Sequence, residues 1–372
     1  MRSLNIVSFD IPYPPDYGGI IDVYYRIAAL ADQGVKIILH CYYKDRLIPD
    51  ELNEICEEVY YYKRNMKPGN VISILPFIVN SRNNPELLQN LCKNDYPIIF
   101  EGLHTTAFLN HERLKDRIRL VRTHNIEHIY YRYLAKYETN LNRKLYYSQE
   151  AQKLKKYEKI LRHASFIMAI KPSDTEYFLQ YGAAATLFPF HEPSLNNTDS
   201  TKGNYILYHG NLSVNDNDRS AAYLVDTVFS KIDLPVIIAG KSPGQNLALK
   251  CARHDNIRLV PDPEQEDLNR MISGARINIL YNFSPAGLKI KLLNALAMGS
   301  TCICNSMVAE GTGLESLCER SDDPVEIIAL IKKHYHGNQT DTTKSESRRD
   351  LLDRYYSNKR NARLILDIIK NL

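Results

Sequence analysis

The chain has 372 residues, of which 44% are hydrophobic and 24% charged, with a formal net charge of +4. That length exceeds one ordinary core and predicts two α/β domains, while the small positive balance, with no basic run carrying an RNA-binding aromatic signature, gives no nucleic-acid partner. Seven scattered cysteines read as reduced thiols. With no signal-peptide stretch after Met1 and no apolar run near the ~20 residues of a membrane span, the expected location is cytoplasmic.

Short β runs alternate with helical patterns along the chain, which predicts parallel sheets with crossover helices. Residues 4–8, 36–41, 97–100, 118–122 and 166–170 form one set of strands. Residues 205–208, 235–239, 257–260, 277–281 and 301–304 form a second. A polar, proline-containing stretch separates them, and residues 196–201 read as a linker. The predicted domains are 1–190 and 203–345, two doubly wound, Rossmann-like parallel sheets facing a cleft. The polar stretch 337–349 reads as a loop, and 350–372 as one or two terminal helices.

Ligands of open α/β sheets gather beyond the carboxyl ends of the strands, and those ends are polar here. The first strand leads into a proline-rich loop closing on Gly18 and Gly19, where backbone can approach a ligand and the following helix start can receive phosphate. Three later strands end near histidine: Glu101 to His104, then His124 in Thr123-His124-Asn125, then His209-Gly210-Asn211. Histidine can bond sugar hydroxyls or, charged, neutralise a leaving group. Their wide spacing fits no short zinc pattern. Asp216-Asn217-Asp218 resembles a metal-binding Asp-X-Asp signature, yet it precedes a helix predicted to begin near Arg219, where Asp218 would serve as a cap.

The segment Ser284-Pro285-Ala286-Gly287-Leu288-Lys289-Ile290-Lys291 reads as loop, then helix. Lysines at a helix start oppose the positive end of the macrodipole unless an anion is bound, so Lys289 and Lys291 point to phosphate. Cys302 and Cys304 lie in an apolar strand and read as core. Residues 128–163 carry nine basic side chains against three acidic ones, interleaved with seven tyrosines, a composition suited to an anionic membrane surface.

As a set, the Gly18-Gly19 loop, the Thr-His-Asn strand end, the Gly-Asn-Leu-Ser turn and the Gly-Leu-Lys-Ile-Lys-Leu-Leu-Asn-Ala-Leu-Ala-Met-Gly segment resemble a retaining GT-B glycosyltransferase of family 4, of the bacterial cell-surface glycan type. The resemblance implies a nucleotide-sugar donor (UDP-, GDP- or ADP-sugar) on the second domain and a glycan or lipid-linked acceptor on the first. It places His124 near the transferred sugar, with Lys289, Glu101 and His104 as further catalytic or acceptor-side candidates. His209, Gly210, Asn211, Gly287, Leu288, Lys289, Lys291 and Asn294 become donor-binding candidates, and Gly18 and Gly19 the acceptor or phosphate loop. Where the family commonly carries two glutamates eight positions apart, this chain has Ala286 and Asn294, and Asn211 replaces an expected arginine. Retaining hexosyl transfer without metal or other cofactor is the expected activity. A sugar-nucleotide epimerase and a catalytically silent partner protein are the alternatives.

Overall fold

A computed structural model describes residues 3–192, 203–284, 286–337 and 342–372. The chain divides into two compact units, Met1–Glu192 with Tyr356–Leu372, and Pro193–Tyr355.

The first unit is a seven-stranded sheet: β1 (Ser3–Ser8), β2 (Lys36–Tyr43), β3 (Glu58–Lys63), β4 (Ile98–Glu101), β5 (Arg119–Thr123), β6 (Phe166–Ala169) and β7 (Ala184–Thr186). The order is β3-β2-β1-β4-β5-β6-β7 and every pairing is parallel. Leu4, Ile6, Val7, Ile37, Leu39, Ile98, Ile99, Phe100, Leu120 and Val121 are all buried. Such continuous apolar runs are what a sheet covered on both faces requires. The helix Gly18–Ala31 buries the stripe Ile20, Val23, Ile27 and Leu30, whose spacing puts one face on the sheet. The last helix, Asn358–Lys370, returns to this unit and adds Ala362, Ile365 and Ile369 to the same core. Burying each isoleucine contributes roughly 1.5–3 kcal/mol, which ties the end of the chain to its beginning.

The second unit contains β8 (Ile206–His209), β9 (Val236–Gly240), β10 (Ile257–Pro261), β11 (Ile277–Leu280), β12 (Thr301–Cys304) and β13 (Glu319–Arg320). They are arranged β10-β9-β8-β11-β12-β13, again all parallel. Cys302 and Cys304 are buried in β12. In each unit the strand order reverses beside the first strand, between β1 and β4 and between β8 and β11. The crevice at such a reversal is where a doubly wound sheet receives a ligand.

Three strands were not expected from the sequence: β3, β7 and β13. All lie at sheet edges, and β7 and β13 are three and two residues long. An edge strand buries less surface and needs less of an apolar pattern. The stretch read as a polar loop is instead largely helical, Thr342–Tyr356, with 338–341 outside the described residues. Residues 344–354 contain no Gly or Pro and are mostly good helix formers. Arg348 of that helix donates to the carbonyls of Gly299 and Ser300. The expected linker, 196–201, also lies outside the described residues.

Close backbone approach shapes the second unit at the end of β9. A Cβ placed on Gly240 would stand 1.8 Å from the Gly210 carbonyl oxygen, whereas one on Gly69 would meet nothing within 4 Å. Gly240→Ala should therefore cost about 3 kcal/mol or more in a denaturant titration, with Gly69→Ala near neutral. Equal stability of the two variants would contradict the close approach.

Candidate functional site

In the first unit the carboxyl ends of β1, β4 and β5 surround a buried charge network. Arg122, on β5, grips Asp22 with two nitrogens, Nε to Oδ2 at 3.0 Å and Nη2 to Oδ1 at 3.2 Å. Asp22 also accepts from Arg26 Nη1 at 3.2 Å and from the Phe190 backbone N–H at 2.7 Å. Arg26 bonds Glu101 Oε1, and the other oxygen, Oε2, accepts from His124 Nε2 at 3.1 Å. Arg26, Glu101 and Arg122 are wholly buried and Asp22 almost so. Burial alone would raise the Asp22 carboxyl, but Arg122, Arg26 and then His124 hold it well below the usual range. Because an ionised carboxylate only accepts, the Glu101 bond places a proton on His124 Nε2.

Asp22, Glu101 and His124 also offer ligand atoms within 4.8 Å of one another. The donor set fits a divalent cation poorly. All four carboxylate oxygens are already bonded, and two guanidiniums sit where the ion's positive charge would be.

His104 shares this edge. The ring of Phe9 lies 5.4 Å, centroid to centroid, from both His104 and His124. Burial, then Arg82, His124 and Arg64, push the His104 pKa well below normal, so this imidazole is neutral. Its buried Nδ1 has no partner among the described residues. Gly102, at φ +64, is needed here, because a Cβ would lie 2.7 Å from that nitrogen. Gly18 begins the first helix, and a Cβ on Gly19 would stand 2.9 Å from Cζ of Phe9. Glu101, His104 and His124 are thus brought together, with Gly19 packed on the ring beside them. Asp22, Arg26, Arg122, Phe9 and Arg82 were missed. The usable signal was Asp22 and Arg26, two charges at i, i+4 within an apolar helix.

In the second unit the turn after β8 meets the loop after β11. His209 is buried, with its Nε2 unpartnered among the described residues. Burial and Lys291 push its pKa down to about 3, so it is neutral and cannot supply the positive charge considered for it. Lys291 Nζ lies 3.1 Å from Asn217 Oδ1, 3.3 Å from the Tyr281 carbonyl and 5.0 Å above the Tyr208 ring. Burial, then Lys289, lowers its pKa to about 7 against the opposing pull of Asp216. Lys289 occupies the N-cap of the helix Ile290–Met298 and bonds the Ala286 carbonyl, with Gly287 before it at φ +65. Leu288 and Asn294 are half-buried.

Three amides, also missed, stitch these loops. Asn305 pairs with the Asn282 backbone at 2.8 and 3.1 Å, Asn282 Oδ1 accepts from Ser284 N at 2.8 Å, and Asn217 Nδ2 donates to the Asn211 carbonyl at 2.9 Å. Asn211 turns its own side chain onto Ser213, at 2.6 Å from Oγ, shaping the turn that contains Gly210.

The Asp216-Asn217-Asp218 expectation is corrected. The helix runs Asn215–Thr227 with Val214 at the N-cap, one turn earlier than expected, because the first-turn acids suit the dipole. Asp218 is not the cap. It accepts from the Gly244 backbone N–H at 2.8 Å.

The basic stretch 128–163 forms the helices Glu127–Tyr137 and Leu141–Tyr157 and a final turn. Arg132, Lys136, Arg143, Lys144, Lys155, Lys156, Lys159 and Arg162 are exposed, whereas Lys153 is half-buried and donates to the Val71 carbonyl at 2.6 Å. Of the seven tyrosines only Tyr137 is exposed. The aliphatic side chains that reach solvent are Ile129, Leu141 and Leu145.

No family model matches the chain. An uncharacterized 44.6 kDa protein in the cps region of Klebsiella pneumoniae is 27% identical over 336 residues, covering 84% of this chain and 85% of that protein. Among solved structures, sucrose-phosphate synthase from Thermosynechococcus elongatus superposes with a TM-score of 0.72 at 15% identity, over 100% of this chain and 99% of that one. The fold is GT-B. Trehalose 6-phosphate synthase from Burkholderia multivorans has a TM-score of 0.68 at 7% identity, over 100% of this chain and 99% of that one. Anabaena HepE, solved with UDP and glucose, scores 0.65 at 11%, each chain covered in full. Among the described residues no helix is long and apolar enough to cross a membrane.

Glu127, just after this edge, is buried with Oε1 unpartnered among the described residues. Burial raises its pKa from 4.5 to about 7, against a bond from Asn125. The folded value exceeds the unfolded one, so folding takes up a proton and this group's contribution falls as pH rises through that window. Relative to wild type, Glu127→Gln should gain on the order of 3 kcal/mol between those two pH values. A pH-independent difference in denaturant midpoints would contradict this.

Proposed function

We propose that this GT-B chain transfers a hexose from a nucleotide-diphosphate donor to a glycan or lipid-linked acceptor, with retained configuration. The observation that carries the proposal is the β8/β11 edge. Lys289, Lys291 and a helix start meet there at the strand-order reversal of a fold whose neighbour HepE was solved with UDP. Cleavage of the donor builds negative charge on the diphosphate, and fixed positive groups meeting that charge lower the barrier. Lys289 and the helix N–H groups would supply it. Lys291, half-titrated near neutrality and steadied by Asn217, would become fully charged against the anion. His209 and Gly210 would bring backbone close to the diphosphate, Asn211 would hold the turn, and Asn294 would face the ribose.

On the first unit, His124 would orient the transferred sugar, with Glu101 fixing its ring and His104 lining the acceptor side. Asp22 and Glu101 are both neutralised by guanidinium, which makes them poor nucleophiles. This supports a front-face course in which the departing phosphate takes the acceptor proton and no glycosyl-enzyme forms. The proposed reaction needs no metal. The cps-region relative supports a role in surface-polysaccharide assembly, and the exposed basic face of residues 128–163 would suit a cytoplasmic enzyme that meets its acceptor at an anionic membrane.

Thermal-shift screening with UDP-, GDP- and ADP-sugars should find one donor that stabilises the chain with concentration, turned over equally in excess EDTA. His124→Ala should lower turnover on the order of a hundredfold with donor affinity retained, and Lys289→Ala should lower it similarly. Calorimetry with that donor at about pH 8 should show proton uptake, lost in Lys291→Met, because an anion raises a lysine pKa that starts near 7. Failure of every nucleotide sugar to bind would overturn the proposal.

A further inference from the structure

The structural arginines of the first unit are engaged by carboxylates or carbonyls, although Arg26 Nε is itself buried without a partner among the described residues. Arg26 and Arg122 are bonded to carboxylates, while Arg117 and Arg119 use Nε, Nη1 and Nη2 on carbonyls and Asn94. Two others on the same sheet edge are bonded only in part, and to no carboxylate among the described residues. Arg82 is only 5% exposed. It donates from Nε to the Phe9 carbonyl at 2.9 Å and from Nη1 to the Ile78 carbonyl at 2.7 Å, leaving Nη2 without a bond among the described residues. Arg64 donates from Nη2 to Ser81 Oγ at 3.1 Å, beside Arg82 in the chain, and its Nε is buried with no partner.

Among the described residues no carboxylate lies within 4.0 Å of either guanidinium. The nearby acid, Asp10, is committed to the Ile11 N–H and the Tyr17 hydroxyl, each at 3.0 Å. Burial and then the like charge of Arg64 depress the Arg82 pKa to about 9 against the pull of Asp10, so the pair stays charged at neutral pH with Asp10, beyond ion-pair distance, set against two guanidiniums. Unbonded buried donors and adjacent like charges both cost free energy, and an oxyanion between them relieves both. Guanidinium suits phosphate and carboxylate through paired N–H donors.

Position adds the rest. Arg82 is bonded to the backbone of Phe9, whose ring touches His104 and His124. We propose that Arg64 and Arg82 form a binding site for an anionic group, phosphate or sugar carboxylate, of the acceptor. The word acceptor rests on the glycosyltransferase reading; the anion site itself does not.

The test titrates the full chain, at ionic strength held with chloride, with inorganic phosphate and separately with glucuronate, following the melting temperature. One of the two should stabilise the wild type: phosphate marks a phosphorylated acceptor and glucuronate a uronate-bearing glycan. Arg64→Gln should weaken that affinity about tenfold or more, the loss expected for one charge-assisted bond, while leaving nucleotide-sugar binding unchanged. Arg82→Gln should do the same, and if it does not fold, Arg64→Gln carries the test. Stabilisation by neither anion, equal stabilisation of Arg64→Gln, or loss in Lys289→Ala instead would overturn the site. Anion binding without nucleotide-sugar binding would uphold the site and refute only the transferase reading.

Discussion

The first unit depends on one buried arrangement, the chain of charges from Arg122 through Asp22, Arg26 and Glu101 to His124. It joins the first helix, the ends of β4 and β5 and the backbone at Phe190, segments far apart in sequence. Removing one partner from such a set leaves an uncompensated buried charge and costs about 3–5 kcal/mol, although an apolar replacement of the whole set can be neutral. Stability alone therefore does not explain why the chain retains it. Position does: two guanidiniums fix two carboxylates, and one of those carboxylates fixes an imidazole at the rim.

In the second unit the corresponding ties between loops are made by neutral groups. Asn217, Asn282 and Asn305 tie the loops after β8, β11 and β12 to one another. Lysine is then the charged element, with Lys291 placed over the Tyr208 ring. Burial and the neighbouring Lys289 lower the Lys291 pKa to about 7, so the edge does not hold two full positive charges at neutral pH, and the proposed diphosphate would restore the second. The two edges divide the work of the proposed reaction, one meeting the diphosphate and the other the sugar and its acceptor.

Much of this was legible in the sequence because continuous apolar runs declare strands: the ten read from the chain are present, all interior but β10, and the three missed are edges. Glu101, His104 and His124 could be found because polar residues at strand ends stand out against the apolar runs before them. Asp22 and Arg26, four residues apart in an apolar helix, offered a signal for each other, but their further partners Glu101 and Arg122 lie 75 and 100 residues away, and a charge on a strand such as Arg122 reads as solvent-facing until its partner is known. The asparagines were hidden for another reason. Asn is common in loops, and nothing local separates one that bonds a distant backbone from one that merely turns. The tyrosines of 128–163 interleave with lysine as a surface pattern would, yet among them Tyr137 is exposed, Tyr133 is buried and the other five are half-buried, a division that periodicity alone does not give.

The central claim is that Glu101 acts through His124. A double-mutant cycle on sugar turnover tests it most directly, comparing Glu101→Gln, His124→Ala and the two combined, each with donor affinity measured alongside. The account predicts that Glu101→Gln slows turnover without weakening the donor, and that the combined variant is no slower than His124→Ala alone. Losses that multiply in the combined variant would show that Glu101 acts independently of His124, and would contradict the account.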